Sequence, residues 1–158
     1  MLLWILMSPG LLTASCDDQY QNHLNTDMAL SYEQFDQTMD AGFRPLAQQC
    51  KAPAIDLIKN YIVLNQAEQD SLRWHIAQLS GEVGRINEAI LYAKSTYRQT
   101  ETGDFKWNDY VSGYIAYWQQ DISLLKEKIK VLETHTSHQG NAMNAKLLSR
   151  FLVELQNQ

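Results

Sequence analysis

Four histidines and two cysteines are the side chains through which this sequence could do covalent or metal chemistry, and their spacing offers little. His135-x-x-His138 has ligand-like spacing, but zinc needs four donors and no carboxylate or cysteine stands in register with the pair. His23 and His75 are isolated from one another along the chain. Cys50 and His75 could form a nucleophile–base dyad, yet nothing in the sequence activates it. There is no glycine-rich phosphate loop, no nucleophile elbow and no paired-cysteine motif. We therefore expect a protein that is not an enzyme, with no catalytic residue, no metal and no cofactor.

The aromatic residues are the richer set. Trp107, Tyr110, Tyr114, Tyr117 and Trp118 fall within 12 consecutive positions, and rigid amphipathic rings give large contact area at small entropic cost. His75, Gln78 and Asn108 add polar groups able to orient a bound chain. A helix cannot turn all five of the clustered rings the same way, so Tyr117 first, and Trp107 after it, is the ring expected to pack against the adjacent hairpin or the C-terminal helix.

Helices must position these residues. The 158-residue chain has 7 Gly and 3 Pro, too few for the turns of an all-β domain, and Ala, Leu, Gln, Glu and Lys are plentiful. Leu72, Ile76, Leu79 and Val83 recur at i, i+4, i+7 and i+11, predicting a helix over residues 72–83 that Gly84 closes. A second helix follows from Ile86 with Ala89, Ile90, Ala93 and Tyr97. Two helices joined by so short a turn form an α-hairpin. Residues 107–119 and 122–132 predict another, turning at Gln120-Asp121. Residues 32–43 and 52–64 predict a third, with Pro45 ending or kinking the path between them. Residues 142–155 read as a capping helix.

The segment Gly84-Arg85-Ile86-Asn87-Glu88-Ala89-Ile90 resembles the tetratricopeptide-repeat signature at the turn into a second helix. Ala77 then takes the small position where paired helices touch, with Gly42 and Gly113 as its counterparts one repeat away on either side. The resemblance implies an all-α, TPR-like superhelix of about three hairpins plus the capping helix, with the first helix of each pair lining a concave groove, and on that alignment the expected binding surface is Trp74, His75, Gln78, Glu82, Trp107, Asn108, Tyr110, Tyr114 and Trp118. Trp74-His75-x-Ala77-Gln78 and Trp107-Asn108-x-Tyr110-Val111 also resemble small exported helical-repeat proteins of Gram-negative bacteria. The implied role is a protein- or peptide-binding adaptor. The alternative is a structural protomer of a homo-oligomer or envelope complex, with the aromatic helix buried at the interface.

The N-terminus reads as an address. Residues 1–12, MLLWILMSPGLL, have the length of a signal-peptide core and are too short to span a bilayer. Leu12-Thr13-Ala14-Ser15-Cys16 resembles a bacterial lipobox, which implies lipidation at Cys16. Thr13 departs from the usual Leu, and the basic n-region is absent, so an ordinary signal peptide cut near Ala14 or Ser15, and a buried N-terminal helix of a cytosolic protein, are the other readings. Asp17 after Cys16 resembles an inner-membrane retention signal, implying the periplasmic side of that membrane, or the soluble periplasm if no lipid is attached. The domain plan is accordingly an address over 1–16, a polar tether over 17–30 and the repeat domain over 31–158. Cys16 and Cys50 form a disulfide only if Cys16 carries no lipid. A net charge of -5, with no Lys or Arg before Arg44, excludes nucleic acid as an obvious partner and leaves a lipid anchor as the membrane attachment to expect.

Overall fold

The computed structural model describes residues 14–101 and 103–157. The expected signal segment lies outside the described residues, apart from its last three positions. Every regular element among the described residues is helical, so the chain is all-α. In order they are α1 (Cys16–Thr26), a π-helical turn (Glu33–Gln37), α2 (Phe43–Gln49), α3 (Lys51–Asn65), α4 (Asp70–Glu82), α5 (Ile86–Lys94), α6 (Trp107–Trp118), α7 (Ile122–Thr134) and α8 (Gln139–Gln156). Consecutive helices pack as the pairs α2/α3, α4/α5 and α6/α7, and α8 lies against both α6 and α7.

The boundaries in the middle of the chain follow local chemistry. Gly84 ends α4 with φ of 77°, a left-handed turn for which glycine has no Cβ penalty. At the next hairpin Gln120 takes φ of 58°, and the Asp121 side chain accepts from Leu124 N to cap α7. Leu72, Ile76 and Leu79 are buried as their spacing requires, whereas Val83 sits at the C-cap of α4 and is 36% exposed. Tyr97 falls beyond the end of α5, where its hydroxyl meets Ser112 Oγ at 2.9 Å.

Three expectations are corrected. Residues 17–30 are not a tether, because Ser15 and Asp18 form a capping box that starts α1. That helix is then fastened to α3 by Asn60 Nδ2, which donates to Tyr20 Oη at 2.7 Å, and the turn after it by Tyr61 Oη, which donates to Leu30 O at 2.8 Å. Pro45 does not break a helix but sits in the first turn of α2, where its missing N–H has no intrahelical partner to lose. Gly42 is not a small residue between paired helices. It is the N-cap of α2, with φ of 60° and ψ of -138°, and it closes the turn that follows Phe35.

Two apolar clusters form the core. The first gathers Phe35, Phe43, Leu46, Ile55, Ile58 and Tyr61 with Leu72 and Ile76 of α4. The second gathers Trp74 and Ala77, from the other side of α4, with Tyr110, Val111, Tyr114, Leu125, Leu132 and Leu148. Glu88, within the segment that carries the tetratricopeptide resemblance, pins this middle region. Its carboxylate pairs with Lys59 of α3 and accepts from Ser80 Oγ at 3.0 Å. Burial would raise the Glu88 carboxyl, but Lys59 and Ser80 outweigh burial and hold it below the usual range. Ser80 is fully buried, and a larger side chain there would displace that carboxylate.

A disulfide joins Cys16 at the start of α1 to Cys50 at the α2/α3 junction, with the Cα atoms 5.5 Å apart. Its sequence separation of 34 residues corresponds to about 3–4 kcal/mol of loop-closure stabilisation. In this structure Cys16 has no thiol to offer a lipid, so lipidation at Cys16 and the observed bond exclude each other. The same bond removes Cys50 as a nucleophile for His75.

Candidate functional site

A cleft of about 280 Å³ opens between α2 and α4. Phe43, Ala47, Leu79 and Met39 supply its apolar surface, and Arg44, Gln48, Lys51, His75, Gln78 and Glu82 its polar lining. A second depression, about 150 Å³, lies on the other side of α4 and is lined by Gln78, Gly81, Glu82, Tyr114, Tyr117, Trp118 and Phe151. Gln78 and Glu82 belong to both, so the two depressions adjoin on α4 with these side chains between them, and together they form a two-part groove over α2, α4, α6 and α8.

Of the expected binding residues, His75, Gln78, Glu82, Tyr114 and Trp118 line this groove. The other four do not, and the reason is packing on both sides of α6. Trp74 and Tyr110 are buried, with ring centroids 5.5 Å apart, and Trp74 also meets Tyr114 edge-on at 5.0 Å. Trp107 is half-buried and donates its indole N–H to Thr96 O at 2.8 Å. Asn108 Oδ1 accepts from Arg98 N and Asn108 Nδ2 donates to Arg98 O, each at 2.9 Å. These two residues fasten the connection between α5 and α6 rather than face a ligand.

Sequence reasoning missed the α2 wall and Phe151. Tyr117 was expected to pack inward, and it does so by stacking on Phe151 at 4.3 Å while its edge still lines the groove. The close approach of α4 to α6 has a local cause. A Cβ on Gly81 would lie 2.4 Å from Trp118 Nε1, so only glycine lets that indole settle against α4. Gln78 Nε2 donates to Tyr114 Oη at 3.2 Å. Burial raises the Tyr114 phenol, and burial together with Glu154 pushes Tyr117 up to about 12. Both phenols therefore remain neutral hydrogen-bonding groups well above neutral pH.

His75 is held at the α2 end of the groove by a buried carboxylate. Its Nε2 lies 3.1 Å from Asp36 Oδ1, Arg44 approaches the same oxygen at 3.7 Å, and the Asp36 side chain is fully buried. That oxygen makes no well-aligned hydrogen bond, so its compensation is the charge and polarity of His75 and Arg44. Burial acts to raise the Asp36 carboxyl, but His75, with help from Ser71 and Tyr32, brings it below its ordinary 3.8. A carboxyl depressed on folding stabilises the fold above its unfolded pKa, and that contribution disappears as pH falls through the folded value. Urea melts below about pH 4 should show a steeper loss of stability in the parent than in Asp36→Asn; equal acid slopes would mean that Asp36 does not carry this linkage.

Neither histidine of the His135-x-x-His138 pair faces a groove. His135 Nδ1 contacts Val131 O at 2.8 Å, and the His138 side chain accepts from Gly140 N to cap α8. No helix of the described residues is long and apolar enough to cross a membrane. Comparison with family models, curated proteins and solved structures finds no match for this chain.

Proposed function

We propose that this protein is an exported, TPR-like helical-repeat adaptor that holds an extended peptide or protein segment in the groove spanning α2, α4, α6 and α8. The observation that carries the reading is the sharing of Gln78 and Glu82 between two apolar-floored depressions. A segment laid across α4 would bury one apolar side chain on each side and meet a polar ridge between them. Binding would draw on apolar burial more than charge, because Glu82 is already paired with Lys51 at 2.8 Å. The Cys16–Cys50 bond supports export to an oxidising compartment such as the periplasm. It favours the soluble form of that reading over the lipid-anchored one.

The alternative of a structural protomer has less to support it, since Trp74 and Tyr110 are already covered within one chain. Peptides selected from a random display library against the full chain test the proposal. Trp118→Ala and Gln78→Ala should each weaken the selected peptides by roughly tenfold or more, with helix content by circular dichroism retained. Peptides that bind both variants as tightly as the parent would place the binding surface elsewhere.

A further inference from the structure

We propose that Cys16 is an exchange site, the point at which an external thiol opens the covalent strap over the N-terminal end of the helix stack. The two sulfurs of the bond are unequal. Cys16 stands on the exposed first turn of α1, whereas Cys50 is 3% exposed, within the cluster of Phe35, Phe43 and Leu46. A thiolate must approach the sulfur it attacks along the S–S axis, so access selects Cys16.

The step balances as a simple exchange. An external thiolate bonds to Cys16 Sγ, the Cys16–Cys50 bond breaks, and its electron pair leaves on Cys50 Sγ, which takes a proton from solvent. A second molecule of the same thiol then attacks the mixed disulfide, releasing the oxidised external pair and leaving Cys16 as a thiol. Asp17 and Asp18 flank the site, and no Lys or Arg precedes Arg44 in the chain. Lys51, beside Cys50, is engaged with Glu82. The local field therefore favours a cationic thiol over an anionic one.

Opening the bond has a structural consequence because, without it, α1 is held by partial packing and by the hydrogen bond from Asn60 Nδ2 to Tyr20 Oη. None of its residues is fully buried, and at 11 residues it is too short to remain helical by itself. Tyr20, Leu24 and Met28 pack only partly against the first apolar cluster. Once released, they uncover that cluster's outer face.

The experiment treats the oxidised full chain with cysteamine or glutathione under native conditions, maps adducts by mass spectrometry and follows backbone hydrogen exchange. The expected result has three parts. Adducts form on Cys16 in at least roughly tenfold excess over Cys50, cysteamine reacts faster than glutathione at low salt, and exchange in α1 rises roughly tenfold or more while α4–α8 stay protected. Adducts on Cys50, or reaction only under conditions that unfold the whole chain, would overturn the assignment of Cys16. Faster reaction with glutathione would overturn the charge argument. An α1 that stays protected after reduction would overturn the role of the bond as its strap.

Discussion

A chain that stops before Gln139 should be unfolded or aggregated at temperatures where the full chain is folded. Helix α8 covers the second cluster with Ala145 and Leu148, both buried, and with Phe151, Leu152 and Leu155 packed against its edge. Each large apolar side chain so covered contributes about 1.5–3 kcal/mol, and several together approach the whole stability of a domain this size, about 5–15 kcal/mol. The contact is close-fitting, because a Cβ on Gly113 would lie 2.2 Å from Leu148 Cδ1. Asn141 adds a polar anchor. Its Nδ2 donates to Asp104 O and His135 O, both at 2.8 Å, and Lys106 N donates to its Oδ1 at 3.0 Å. Thermal melting by circular dichroism with size-exclusion chromatography decides the matter. A soluble truncation with an unchanged transition would mean that α8 does not complete the core.

Gly42→Ala should be strongly destabilising, and far more so than alanine at the other described glycines of positive φ. The added Cβ would fall 2.0 Å from Phe35 O, a backbone atom that cannot swing aside, and φ there is +60°. Gly84 and Gly103 also have positive φ, at +77° and +87°, but a Cβ at either would meet open space. Alanine at those two sites should cost about 1 kcal/mol, the conformational penalty alone. At Gly42 the clash adds to that penalty, and a loss of about 3 kcal/mol or more is expected. At this chain length that corresponds to a melting temperature lowered by roughly 6–12 °C. Similar losses at all three positions would show that the clash with Phe35 is relieved by a backbone shift.

The sequence made α4 to α7 legible because each carries its own signal: a 3.6-residue apolar spacing, a glycine stop at Gly84 and an aspartate cap at Asp121. It did not make α1 legible. Residues 17–30 are polar because most of α1 faces water; the Ser15–Asp18 cap is a local signal, but what fastens the helix to the rest is a disulfide and a hydrogen bond to residues more than 30 positions away. The short α2 was hidden by Pro45, which reads alike as a break or a first turn. The groove was half legible for a different reason. Aromatic rings are favoured both in a core and at a contact surface, and α6 is covered by α4 on one side and α7 and α8 on others, so spacing along α6 could not say which ring faces outward. The partnership of Phe151 with Tyr117 depends on how α8 folds back, information that no local pattern contains.

Helix α4 is common to both apolar clusters, Leu72, Ile76 and Leu79 facing one and Trp74 and Ala77 the other. Neither half of the molecule can complete its interior without it, so the two halves are thermodynamically coupled through one 13-residue helix. A substitution that loosens this shared wall should therefore destabilise both clusters together rather than one alone.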